Sequence, residues 1–140
     1  MNPLLALALK VLLVAAFGAI AVFVGSPVVS WLFGRVDAAT AKAHAKDESQ
    51  APAPRLLAAG VLLRGGHWIG MLERLAIFAS LLAGFGEGLA VVLAVKSLAR
   101  YPELRATTSG AAERFIIGTF ASTLFAAACA GLAWWLITLW

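Results

Sequence analysis

The sequence predicts an all-α fold: a polytopic membrane helix bundle of four transmembrane helices, two of them joined as a short glycine-turn hairpin. Three observations predict it. Hydrophobic residues fill 62% of the 140 positions and charged residues 13%, against about 45–50% and about 25% in a water-soluble domain. The apolar residues gather in three blocks, Pro3 to Phe33, Ile69 to Leu98 and Phe115 to Trp140. Each is longer than the ~20 residues that span a bilayer core of ~30 Å. Finally, most lysines and arginines lie in the two gaps between blocks. Residues 1–140 are read as a single transmembrane domain, with residues 35–55 as a linker within it.

The first block predicts a helix over Leu4–Phe33. A cleaved signal peptide fits it poorly: no lysine or arginine precedes the apolar core, Lys10 interrupts it, and no A-x-A site follows. The run continues past Gly25-Ser26-Pro27, so a retained helix is expected. Pro27 lacks an N–H and crowds the preceding turn, which predicts a kink or an end to the regular part.

The linker Arg35–Arg55 is polar, rich in small residues and closes on two prolines, as flexible cytoplasmic segments are. His44 is expected to be solvated there. Leu56–Leu63, with an arginine at each end, is too short to span and is read as a short interfacial helix.

The second block, WIGMLERLAIFASLLAGFGEGLAVVLAVKSLARYPEL, poses a choice between one crossing and two. Arg35, Lys42, Lys46, Arg55 and Arg64 precede it; Lys96, Arg100, Arg105 and Arg114 close or follow it. A single crossing would put these two basic groups on opposite sides, against the positive-inside rule. A hairpin puts every lysine and arginine except Lys10 at or near the cytoplasmic side. The stretch Gly84-Phe85-Gly86-Glu87-Gly88 suits a tight reversal. It also places Glu87 in the first turn of the returning helix, where a carboxylate suits the dipole. A single crossing would leave Glu87 near mid-membrane, at roughly 2.5–3.5 kcal/mol if unpaired. The expected helices are Trp68–Gly84 and Gly86–Tyr101, with three spans in all as the alternative.

The third block predicts a helix over Glu113–Leu139. Both termini then face outward. Trp31 and Trp68 would mark the cytoplasmic interface, and Trp134, Trp135 and Trp140 the outer one; tryptophan as bundle filler is the alternative for Trp134 or Trp135. Cys129 is expected to be a small packing residue.

Helix contact in lipid depends on close backbone approach. Small residues recur every four positions: Ala76, Ser80 and Gly84; Gly86, Ala90 and Ala94; Gly118, Ser122, Ala126 and Ala130. Each row lies on one helical face, and a homodimer seam is one use for such a row.

The hairpin brings charges together. Glu73 falls ~16 Å below the turn, Lys96 ~12 Å and Arg100 ~18 Å, at 1.5 Å per residue. Glu113 and Arg114 open the last helix. The expectation is an ionic cluster, Glu73 and Glu113 against Arg74, Lys96, Arg100 and Arg114. Ionisable residues within spans are functional-site candidates; snorkelling cations and helix-stapling ion pairs are the structural alternative. His67, beside Trp68, is read as interfacial.

The runs I-G-M-L-E-R-L at Ile69–Leu75, A-V-K-S-L-A-R-Y-P-E-L at Ala94–Leu104 and E-R-F-I-I-G-T at Glu113–Thr119 resemble a family of bacterial integral membrane proteins of unknown function. The resemblance covers about Gly65 to Leu132. It implies that Gly70, Glu73, Arg74, Lys96, Ser97, Arg100, Glu113, Gly118 and Thr119 belong to the family pattern, and it names no activity.

Enzyme motifs are missing: no H-E-x-x-H, no G-x-S-x-G, no phosphate-binding glycine loop. Two distant histidines and one cysteine make no metal set. Neither cofactor nor metal is expected, and the net charge of +4 suits anionic lipid better than nucleic acid. Small multidrug exporters and small fluoride channels have similar size. The exporters' deep first-helix glutamate is replaced here by Lys10 alone, and the channels' threonine- and phenylalanine-rich signature is missing. The expected function is a non-catalytic scaffold or accessory subunit in a bacterial inner membrane, contacting lipid and either a protein partner or further copies of itself. The alternative is a small oligomeric ion or solute transporter or channel using the Glu/Lys/Arg cluster.

Overall fold

The computed structural model describes residues 2–44, 64–99, 101 and 109–139. These form four helices and, among the described residues, no strand: α1 (Pro3–His44), α2 (Arg64–Leu82), α3 (Glu87–Ala99) and α4 (Ser109–Thr138). Two stretches are long and apolar enough to cross a membrane, Pro3–Arg35 of α1 and Ala112–Thr138 of α4. Only 6% and 28% of their most apolar windows is buried, the reverse of a core helix in a water-soluble domain. Apolar side chains such as Leu12, Phe23, Leu124 and Trp135 point outward. Trp134 and Trp135 are both exposed, so neither fills the bundle.

α1, α2 and α4 pack against one another in all three pairings, and α3 packs on α2 alone. Where the three meet, small residues set the spacing. Ala21, Ala126 and Ala133 are wholly buried, and Phe78 and Cys129 fill the gap among them. Gly18 of α1 lies against the Phe78 ring, and Gly118 of α4 against that of Phe33. Such close approach replaces the large-residue core of a soluble bundle.

α1 passes through Pro27 and runs well beyond Phe33, to His44. Residues 35–44, expected to be linker, are helical. Their alanine-rich composition explains it: alanine gives up no side-chain entropy in a helix. The rest of that linker and Leu56–Leu63 lie outside the described residues.

The α2–α3 connection is a Schellman motif. Phe85 N–H donates to Ser80 C=O at 2.8 Å and Gly84 N–H to Leu81 C=O at 3.1 Å, which satisfies two carbonyls at the end of α2. Gly84 has φ of 72°, the left-handed conformation that the motif requires and that glycine alone adopts without penalty. Gly88 N–H to Phe85 C=O and Leu89 N–H to Gly86 C=O then open α3. The two helices run back antiparallel. A Cβ on Gly88 would come within 2.8 Å of Ser80 Cβ, so the arms touch backbone to side chain just below the turn.

Candidate functional site

Glu73 and Arg74 are neighbours on α2, about 100° apart around it. That angle sends them to different partners. Glu73 turns to α3 and makes an ion pair with Lys96; both side chains are mostly buried. Arg74 turns the other way, between α1 and α4, and is 4% exposed. Its Nε and Nη2 both donate to the Val22 carbonyl, at 3.2 and 2.9 Å. Nη2 also donates to Ser26 Oγ at 2.7 Å, and Nη1 to Ser122 Oγ at 3.4 Å. One guanidinium thus ties three helices together, and all its acceptors are neutral.

Local sequence makes room for it. Gly25 faces the Arg74 stem: a Cβ there would sit 2.5 Å from Arg74 Cδ and 2.7 Å from Nε. Pro27, two residues on, supplies no N–H to the Phe23 carbonyl and crowds it. Arg74 donates one residue earlier, to the Val22 carbonyl, and to Ser26 Oγ. Gly25-Ser26-Pro27, read from sequence as a kink signal, is the arginine's socket.

Below this socket, away from the glycine turn, the four helices border a cleft of ≈ 560 Å³. Ser26 and Ser30 come from α1; Gly66, Gly70, Glu73 and Arg74 from α2; Lys96 from α3; Arg114, Gly118, Thr119 and Ser122 from α4. Val29, Ile69, Ala99 and Phe115 add apolar surface to its walls; the glycines, serines and threonine among them leave space between helices packed closely elsewhere. Three cations face it against one carboxylate. The Thr119 hydroxyl is buried without a hydrogen-bond partner. His67 also borders the cleft, though its side chain is largely exposed.

Of the expected ionic cluster, Glu73, Arg74, Lys96 and Arg114 come to this cleft, with Glu73 paired to Lys96 and Arg74 hydrogen-bonded to neutral acceptors. Arg114 lies 5.5 Å over the Phe33 ring, a cation–π contact between α4 and α1. Glu113 is exposed, and the Arg100 side chain lies outside the described residues. Val22, Ser26, Ser30, Gly25 and Thr119 were not anticipated from charge placement. Only the Gly-Ser-Pro turn and the I-G-T run pointed toward them.

The small-residue rows divide similarly. On α4, Ser122, Ala126 and Ala130 are buried and Gly118 meets Phe33. On α2, Ala76 and Ser80 are half-buried and Gly84 sits in the turn. On α3, Ala90 and Ala94 face outward and Gly86 belongs to the turn; Gly88 makes the close contact instead. Among the described residues no group of three or more His, Cys, Asp or Glu could hold a metal ion. Cys129 is buried in the core cluster. No protein family, curated protein or solved structure matches the chain.

Proposed function

We propose that this chain is a multi-pass protein of a bacterial inner membrane that serves as a non-catalytic subunit of a larger membrane assembly. All four helices enter the bilayer, with the Gly84 turn and both termini on the outer side and the mouth of the cleft on the cytoplasmic side. The two long apolar helices support this placement, and so does the packing of α1 against α2 and α4, since a leader to be removed has no need of such seats.

The observation that carries the subunit reading is the one-sided packing of α3. Its 13 residues cover about 20 Å, short of the ~30 Å core. Its outward face presents Ala90 and Ala94 beside Val91, Val95 and Leu98. Small residues spaced by four are what a second helix packs on in lipid. Glu73 with Lys96, and Arg74 with its hydrogen bonds, hold helices of this chain to one another.

A photo-crosslinking side chain at Ala94 tests it in native membranes. An adduct heavier than two copies of the chain is expected; reaction with lipid alone overturns the reading. Transport is the second reading, favoured by the charged and hydroxyl-bearing side chains that border the cleft. Reconstituted protein is expected to pass no ions or solutes, and a flux abolished in Glu73→Gln would replace the subunit reading with it. Placement is read separately, by impermeant thiol labelling of Glu87→Cys and His44→Cys in a Cys129→Ala background, with opposite sidedness expected.

A further inference from the structure

We propose that the cleft between α1, α2 and α4 is a binding site for a phosphate oxyanion, held by Arg74, Thr119 and Arg114 with Lys96 at its edge. Its lipid form rests on the membrane placement above; its free-phosphate form does not.

Four observations converge. The cleft is large enough for a polar headgroup, at ≈ 560 Å³, within the ordinary range for small-ligand sites. Its charged lining residues, Arg74, Lys96 and Arg114 with the Glu73 carboxylate, sum to a net positive charge. Arg74 is buried with neutral acceptors only. Glu73, whose charge acts on Arg74, is shared with Lys96; a buried cation only partly offset is costly, and an incoming anion relieves that cost. The guanidinium carries five N–H donors. Val22, Ser26 and Ser122 take four, the one to Ser122 weakly, which leaves a second Nη1 donor among the described contacts. Nη1 lies on the Gly70 side, where a Cβ would be 3.7 Å from it, so no side chain of that residue covers its approach. Thr119 adds a buried hydroxyl with no partner. A fork of N–H donors, a hydroxyl and a second arginine suit a tetrahedral oxyanion, for which arginine is matched in both charge and geometry.

The shared chemistry is the phosphate group, and its source is either the diester of an anionic lipid or free inorganic phosphate. Delipidated protein in mild detergent is titrated with phosphatidylglycerol or phosphatidylcholine and read by native mass spectrometry. In parallel it is dialysed against radiolabelled inorganic phosphate. Phosphatidylglycerol retained about tenfold over phosphatidylcholine, with no uptake of inorganic phosphate, identifies a headgroup site. Uptake of inorganic phosphate identifies the free anion. Whichever binds is expected to weaken about tenfold in Arg114→Gln, the scale of one lost charge-assisted hydrogen bond. A loss of a few-fold is expected in Thr119→Val, which keeps the shape and removes the hydroxyl. Thr119→Val should melt no lower than the wild type, since it removes an unsatisfied buried hydroxyl, and Arg114→Gln should melt no more than a few degrees lower, through loss of its cation–π contact. Equal retention of the two lipids with no phosphate uptake overturns the proposal, as does binding that neither substitution weakens. Failure of the topology labelling leaves the phosphate arm standing and so is distinguishable.

Discussion

Lys96 meets Glu73 at matched distances from the glycine turn: Lys96 lies as far beyond the start of α3 as Glu73 lies before the end of α2. The pair therefore reports the register of the hairpin. A slip of one residue would swing either side chain by about 100° and part them.

Removing one member of that pair should be worse than removing both. Glu73→Gln or Lys96→Met leaves a largely buried charge unpaired, at about 3 kcal/mol. The double substitution Glu73→Gln/Lys96→Gln should recover most of that loss, and the exchange Glu73→Lys/Lys96→Glu should recover it as well. Unfolding in a denaturing-detergent titration measures the series. Additive single effects would show that the two side chains do not act together.

Arg74→Lys should be far from conservative. A lysine cannot span the Val22 carbonyl and the two serine hydroxyls at once. The loss is expected at about 2–3 kcal/mol, set by hydrogen bonds to a charged group, with Ser26→Ala and Ser122→Ala each costing about 1 kcal/mol. Thermal melts in detergent rank the three.

Two glycines of α1 should respond with opposite signs to the same change. Gly25→Ala drives a methyl into the Arg74 stem and should destabilise by about 1–3 kcal/mol, the usual cost of overpacking. Gly34→Ala meets nothing within 4 Å and should stabilise by about 0.5–1 kcal/mol through reduced chain entropy. Comparative melting temperatures check the pair.

At the turn, Gly84→Ala should cost about 1–2 kcal/mol because φ is 72° there. Gly86→Ala has open space and an ordinary backbone and should stay within about 0.5 kcal/mol of wild type. Equal effects in the same melting assay would argue against the Schellman geometry.

Much of the architecture was legible as blocks and punctuation. Long apolar runs gave the helices, and Gly84, Gly86 and Gly88 marked the reversal because a left-handed residue and a close crossing both demand glycine. Depth arithmetic along two antiparallel rods was enough to bring Lys96 near Glu73. Arg74 was harder. Its partners are a main-chain carbonyl and two hydroxyls, and a search for opposite charges passes over all three. Depth also carries no azimuth, so Glu113, at a suitable level, still points outward. The α3 row meets no described helix of this chain for a related reason: spacing of four defines a face but not what that face meets. The extension of α1 to His44 was hidden by polarity, which argues for solvent exposure and says little about helicity.

Because α3 leans on α2 alone while contributing Lys96 to the cleft, its attachment comes down to one helix face, fastened by the Gly88–Ser80 contact and the ion pair with Glu73. Backbone amides of α3 should accordingly exchange with solvent deuterium sooner than those of the inner turns of α1, α2 and α4.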